Sequence, residues 1–412
     1  MTTASATATS EPGLRAAGRE RAAVTVGTCL AGLTVLAVIA ARHAAPSEVS
    51  PVIPRDEWNT VWVASLVASF VLYGVGAYLA WSGALRLRVA VIIAVIVQAV
   101  PLGAPLLLSK DAYLYWGEER VFAVHHANPY VATPSTYPSD PSTPWVSESW
   151  RSEVTPYGPA WTLAAAPVAA TSSRLAAELA YRAIALVALL GCLLVIARRT
   201  QSAAAVAFLG WSPLLALHYA GAGHSDALMM LFTVGAIALG TSSLGGGALW
   251  PVASAFKPFP PVLVPLELAR RRLAVGRRWW TGIVAGAIAV VAISTGLFGT
   301  HWIRQATTGA HQTSPLGGVH WLTEAGLTHR IAVVVAGLVF IAVYLVLLRN
   351  AWRTGRGRFS LAATALCLTS SLLRPWYALW PVALAALEED AVAAVAAYAL
   401  SAYLLFGDAV HF

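Results

Sequence analysis

The chain reads as an all-α polytopic membrane protein, and three observations predict that class. Apolar residues make up 58% of it and charged residues only 11%, against about 25% charged in soluble domains; the mean hydropathy is +0.67. Apolar runs of roughly 20 residues, enough to cross a ~30 Å hydrocarbon core as helix, recur along the chain. The clearest are residues 25–41, 60–81, 89–108, 183–197 and 331–348. The basic residues fall between these runs rather than inside them, as topology determinants do.

The first 20 residues are rich in Ala, Thr and Ser, basic and without an apolar run, and read as a disordered cytoplasmic tail. Residues 21–412 form a single membrane domain. The run at 25–41 is longer than a signal peptide's apolar core and lacks a clear cleavage site, so it is expected to stay as an anchor. Cys29, Cys192 and Cys367 all lie inside apolar runs, which argues against a disulfide framework or a zinc site. The net charge of +8 is scattered between spans, so no nucleic-acid partner is expected.

With the N-terminal arginines inside, the count of spans puts Arg86, Arg88, the ARRT at 197–200, Arg270–Arg272 and the LRNAWRTGRGR at 348–358 on the cytoplasmic side as well. That is the positive-inside bias, and the opposite orientation fails it. Residues 109–158, the GAGHSDA turn at 221–227 and the loop at 300–330 then face outward, and with them many of the acidic residues. A site belongs on the extracytoplasmic face of the cell membrane.

Three apolar segments do not fit simple spans. Residues 159–171 are short, contain Pro167 and are expected to dip in without crossing. Residues 246–272 have both flanks inside; Pro258, Pro260 and Pro261 cannot continue a regular helix, which predicts two half-helices meeting at Lys257. Residues 361–390 break similarly at Arg374–Pro375. Such breaks need protein or water to satisfy the freed backbone groups. About eleven membrane helices result.

Candidate site residues follow from these positions. Asp111 stands at the outer boundary, and an interfacial helix would put Tyr115 and Glu118 on its face. A carboxylate there can accept a proton from a sugar hydroxyl; alternatively Asp111 and Glu118 pair with Lys110 and Arg120. Glu119 joins them as a candidate acid. Asn128 and Tyr130 in NPY, with Tyr157 in TPYGP, offer loop and aromatic contacts to an acceptor. His224 and Asp226 open a helix, either as a substrate contact, as an N-cap formed by Ser225 or Asp226, or as part of a divalent-cation site with an acid from 111–119. Lys257 and Arg374 are cations at broken helices, where charge is costly unless functional. Either can receive a phosphate, and snorkelling to the interface is the alternative for both.

In order, SKDAYLYWGEERVFAVHHANPY, TPYGPAW, GHSDALMM, FKPFPPVLVPL and RPWYALWPVALAAL resemble blocks of the GT-C glycosyltransferases. Among these, the resemblance is to the bacterial polyprenyl-phosphate-mannose-dependent α-1,6-mannosyltransferases and the related family 87 enzymes. It runs from about residue 60 to 400. It implies a GT-C-like bundle with a large extracytoplasmic first loop, a polyprenyl-phosphate sugar donor, a glycan or glycolipid acceptor, and an acidic residue of that loop as catalytic base. Asp111 matches that acid, Asn128–Tyr130 the NPY block, His224 and Asp226 the His-x-Asp block, and Lys257 the Lys-Pro block. The chain departs from the family at Trp116–Arg120, where the order of Trp, acid, Gly and Arg is scrambled, and in lacking a Gly shortly before NPY.

The resulting expectation is an inverting glycosyltransferase. Asp111, Glu118 and Glu119 are the candidate catalytic acids, and Lys257, Arg374, His224 and Asp226 receive the donor phosphate. The sugar is mannose, and no cofactor is required beyond the open divalent-cation alternative. A lipid-linked-sugar flippase, which should show repeat symmetry between its halves, and a non-catalytic scaffold are the competing classes.

Overall fold

A computed structural model describes residues 11–44, 57–83, 85–308 and 313–409, and its elements are all helical, with no strand among those residues. The first ten residues of the expected disordered tail lie outside this description, as do residues 309–312 of the loop at 300–330. Residues 11–20 begin a helix, so the expectation of disorder does not hold for them.

Five helices are long and apolar enough to cross a membrane: α1 (Glu11–Ala44), whose apolar part is Ala17–His43, α2 (Glu57–Trp81), and three introduced below. The run at 89–108 is not one of them. It forms α3 (Leu87–Ala99), which tightens into a 3-10 turn at Val100–Gly103 because Pro101 has no N–H to continue the helix. The first loop contributes α4 (Asp111–Ala123), the single turn α5 (Glu148–Arg151) and α6 (Pro159–Ala169), which carries Pro167 inside it. At 11 residues α6 reaches only about 16 Å, consistent with dipping in without crossing.

The third long helix is α7 (Arg174–Thr200), capped by the Ser173 side chain and closed by Gln201 in the left-handed conformation. Its buried Arg182 donates to the carbonyls of Pro101, Ala104 and Ala220 and pairs with Glu178 at 2.9 Å, so one guanidinium satisfies backbone freed where α3 ends. Two half-helices follow, α8 (Ala203–Gly210) and α9 (Pro213–Tyr219), each started by a Ser cap. Gln98 of α3 donates to the carbonyls of Gly210 and Ser212 at 2.9 and 3.0 Å, covering the break between them.

Next come α10 (Asp226–Leu239), α11 (Leu244–Ser254) and α12 (Val264–Arg270). The last two are the half-helices expected around Lys257. The fourth long helix, α13 (Arg277–Phe298), packs on α11 through a small-residue seam. A Cβ at Gly282 would lie 2.1 Å from the Leu244 carbonyl and one at Gly286 2.8 Å from that of Ala248; only glycine four residues apart permits this approach. After α14 (His301–Thr308) and α15 (Gly318–Glu324) comes the fifth long helix, α16 (His329–Thr354). The chain closes with α17 (Phe359–Thr369), α18 (Leu379–Glu388) and α19 (Ala391–Ala409).

The outermost helices carry large apolar side chains in the open, such as Ile288 on α13 and Val334 and Leu338 on α16. Water does not tolerate such a belt and lipid does: this is a membrane protein. Alongside the five long helices, α3, α10, α17 and α19 are shorter apolar helices, so the expected count of about eleven membrane helices is matched among the described residues only by five helices of spanning length together with shorter pieces. The pieces pair up: the Glu388 carboxylate at the end of α18 accepts from the N–H of Phe359 and Ser360 at the start of α17, so α17 and α18 enter and leave at the same end. α7, 27 residues and about 40 Å long, separates that end from the one that carries α4.

Candidate active site

At the α4 end, the start of one helix and three interruptions of others meet. Asp111 opens α4, where the helix dipole favours a carboxylate. The turn before α10 brings Ser225 N–H to the Tyr115 hydroxyl at 3.3 Å, one helical turn beyond Asp111. The α11–α12 break is held by Gly158 and Ala160, whose N–H groups donate to the carbonyls of Phe256 and Ala255. A Cβ at Gly158 would come within 2.1 Å of the Ala255 carbonyl oxygen, so the glycine of TPYGP is what lets the first loop touch the backbone beside Lys257. The α17–α18 break is tied by Tyr219 Oη to the Trp376 carbonyl at 2.8 Å and by Ser314 to the backbone of Ser371 and Leu373. Freed backbone groups at each break therefore find partners, as membrane depth requires.

Two polar contacts form the centre. His224 Nδ1 lies 3.2 Å from Asp111 Oδ2, and Lys257 Nζ lies 2.6 Å from Asp226 Oδ2. The other Asp226 oxygen accepts from Trp380 Nε1 at 2.9 Å. Asp111 also accepts from the Ser109 hydroxyl at 2.9 Å. Aromatic rings enclose the cluster. Trp376 stacks on His224 at 3.7 Å, Tyr377 stacks on Trp380, and Lys257 stands 5.0 Å from the Tyr377 ring and 5.8 Å from that of Tyr157.

Access separates these groups. The side chains of Asp111 and Lys257 are 20% and 17% exposed, whereas Asp226 and His224 are fully shut in. Burial works to raise the Asp111 pKa, but the bond and charge of His224, the Ser109 bond and the Lys257 charge outweigh it and hold it below the usual carboxylate value. Asp111 is thus an ionised, reachable oxygen base.

Glu118 and Glu119 are elsewhere. They are 1% and 0% exposed, and among the described residues the only hydrogen bond to either carboxylate with sound geometry is Thr162 Oγ1 to Glu119 at 3.3 Å. Burial, and for Glu118 also the neighbouring Glu119, pushes both upward, Glu119 to about 8. Both are held back from ionising and lie buried away from solvent. The expected pairing of Glu118 with Arg120 is likewise absent. Arg120 binds Asp140 at 2.8 Å and the carbonyls of Ala169 and Thr171, while His125 reaches the second Asp140 oxygen, pinning the first loop.

Asn128 caps its own turn through Tyr130 N–H and donates to the Phe298 carbonyl at 2.7 Å, and Tyr130 donates to the Tyr157 carbonyl. The NPY block braces the loop, and of its three expected contact residues only Tyr157 looks toward Lys257. Ser225 is the N-cap of α10 but makes no side-chain cap bond, so that reading of the segment fails. Nor do His224, Asp226 and the acids of 111–119 converge as a donor set; no group of three metal-binding side chains exists among the described residues. Arg374 lies at its break with its guanidinium 5.9 Å from the Trp376 ring and no carboxylate partner among the described residues.

Sequence reasoning passed over Ser109, Trp376, Tyr377 and Trp380 as site residues. The signal available was the aromatic density of RPWYALW at a broken helix.

A family model described as alpha-(1->6)-mannopyranosyltransferase, N-terminal domain, matches residues 24–269. The matched stretch contains Asp111, His224, Asp226 and Lys257 and stops before Arg374. No curated protein and no solved structure gives a match.

Proposed function

The chain belongs to the alpha-(1->6)-mannopyranosyltransferase family, and we propose that it moves mannose from a polyprenyl-phosphate donor to a glycan or glycolipid acceptor with inversion at the anomeric carbon. The reaction takes place on the extracytoplasmic face of a multi-pass bundle in the cell membrane. One observation carries the reading: of the four side chains in the two central contacts, Asp111 and Lys257 are open to solvent, one a carboxylate and the other an ammonium, while His224 and Asp226 are shut in.

In this reading the acceptor hydroxyl donates its proton to Asp111 as its oxygen attacks the anomeric carbon. The bond from that carbon to the phosphate oxygen breaks, and its electron pair leaves with the lipid phosphate. A low-pKa carboxylate is a weak base, but it suffices because the hydroxyl becomes strongly acidic only as the new C–O bond forms. His224 positions Asp111 and keeps it ionised. Lys257 and Arg374 meet the developing charge on the leaving phosphate, where preorganised cations act most strongly. Asp226, with both oxygens occupied inside the protein, orients Lys257 and does not itself touch phosphate. Glu118 and Glu119, buried and away from solvent, take no part in proton transfer.

The test is transfer by the purified protein from polyprenyl-phosphate mannose to short mannoside acceptors, wild type against Asp111→Asn. The variant should lose about 10²–10⁴-fold in rate while keeping its fold, since Asn still accepts from Ser109. Full transfer by the variant removes Asp111 as base; lipid translocation without transfer by wild type returns the flippase.

A further inference from the structure

At the end of the bundle away from Asp111, three basic segments far apart in sequence converge. Arg199 at the end of α7, Arg270 and Arg271 at the end of α12, and Arg356 and Arg358 before α17 line a cavity of about 400 Å³, closed by the turn at residues 388–390 between α18 and α19. Position at one membrane face explains why these residues are basic. It does not explain why five guanidinium groups, which repel one another, share one hollow.

The acids nearby do not neutralise them all. Glu388 is committed to the N–H groups of Phe359 and Ser360, at 2.6 and 3.1 Å. Asp390 caps the N–H groups of Val392 and Ala393 with one oxygen and meets Arg358 at 3.4 Å with the other. Glu267, just outside, takes Arg270 at 2.5 Å and Arg271 at 3.6 Å. Glu389 is the one remaining acid in the lining, and it is exposed. The guanidinium groups of Arg199 and Arg356 are left with no ion pair or hydrogen bond among the described residues, and both residues line the cavity wall. Planar guanidinium forks without carboxylate partners are suited to phosphate oxygens, and Ile237, Phe359 and Leu387 give the same cavity an apolar side.

We propose that this cavity binds a phosphate group through Arg199 and Arg356, apart from the transfer site. Basic pockets between helices at a membrane face are where anionic lipid head groups are held, and a free phosphate ion presents the same chemistry. The bound anion would brace the α11–α12 and α17–α18 pairs at their base, since α12 ends and α17 begins in the cavity wall. Those pairs carry Lys257 and Arg374 at their far ends.

The experiment compares wild type, Arg199→Gln/Arg356→Gln, and a control, Arg277→Gln/Arg278→Gln, which alters exposed arginines outside the cavity wall. Retention of phosphatidylglycerol against phosphatidylcholine is read by native mass spectrometry from detergent, and thermal stabilisation by millimolar inorganic phosphate at constant ionic strength is read in parallel. Loss of even one charge-assisted bond is worth about tenfold in binding, so the cavity variant should retain at least about tenfold less phosphatidylglycerol while the control matches wild type. If inorganic phosphate alone stabilises wild type and not the cavity variant, the ligand is the free ion. The proposal is overturned if the cavity variant behaves as wild type in both arms, or if the control loses as much as the cavity variant does.

Discussion

Replacing Lys257 by Met tests the centre of the site most directly. Asp226 is fully buried and, among the described residues, its side chain accepts two hydrogen bonds, from Lys257 at 2.6 Å and Trp380 at 2.9 Å. Met fills the same volume but leaves a buried carboxylate with one neutral donor. Breaking one side of a buried pair costs about 3–5 kcal/mol, whereas replacing both members is often neutral. Lys257→Met should therefore destabilise by about 3–5 kcal/mol, and Asp226→Asn/Lys257→Met should recover most of it, because Asn still accepts from Trp380. Asp226→Asn alone should cost less than Lys257→Met, since the lysine is 17% exposed and can rehydrate while the aspartate cannot. The assay is unfolding of all four proteins in the same detergent, analysed as a double-mutant cycle. A double variant as unstable as Lys257→Met would refute the pairing. Transfer should stay lost in the double variant despite its restored stability; wild-type transfer there would refute the leaving-group role.

The buried acids give a pH-dependent signature. Glu119 in the fold titrates at about 8 against an ordinary 4.5, so the folded state holds the extra proton and stability falls as pH rises from about 4.5 to about 8, then levels, by at most about 5 kcal/mol. Glu118→Gln/Glu119→Gln should flatten the melting temperature between pH 5 and 8, and curves parallel to wild type would contradict this assignment. Gly158→Ala forces a Cβ to within 2.1 Å of the Ala255 carbonyl, shifting the backbone next to Lys257; transfer should fall about 10²-fold with unchanged helix content by circular dichroism, and full activity would show that the first loop does not set the position of Lys257. Arg374→Gln should raise KM for the donor by about tenfold or more with little loss of stability, as no carboxylate is left unpaired; a large stability loss with unchanged KM would assign Arg374 a structural role.

What the sequence made legible was whatever a local pattern determines. The runs within α1, α2, α7 and α16 are apolar end to end, and Pro258, Pro260, Pro261 and Pro375 cannot continue a helix, so spans and breaks could be read directly. The 89–108 run misled because composition weighed more than Pro101, whose missing N–H ends α3 early. Partners were beyond reach for a different reason. Trp380 meets Asp226 across 154 residues, and nothing near either residue encodes that meeting. Glu118 and Glu119 look like surface acids in a polar loop; only the packing of α4 beneath that loop makes them buried. Glu118 stands two residues from Arg120, off its helix face, and Arg120 instead reaches Asp140, whose two oxygens both accept from its Nε, a partner set by the fold of the loop.

Helices that stop halfway put charge where a through-going helix cannot, and here they do so unequally. Lys257 arrives with its charge already matched by Asp226 from the first turn of α10, so the pair is neutral before any ligand enters and a phosphate must compete with a carboxylate at 2.6 Å. Arg374 has no carboxylate partner among the described residues, and its guanidinium lies 5.9 Å from the centroid of the Trp376 ring that stacks on His224. In the proposed reaction, a lipid phosphate would be drawn first to Arg374, which has no carboxylate to leave, and would reach Lys257 only as negative charge accumulates on the departing oxygen and makes sharing the ammonium with Asp226 favourable. Such a division puts ground-state binding on one cation and transition-state stabilisation on the other, which is the distribution that raises turnover rather than merely tightening donor binding. It also gives Asp226 a reason to be buried: a counter-ion open to water would release Lys257 to the donor from the outset and erase the difference between the two states.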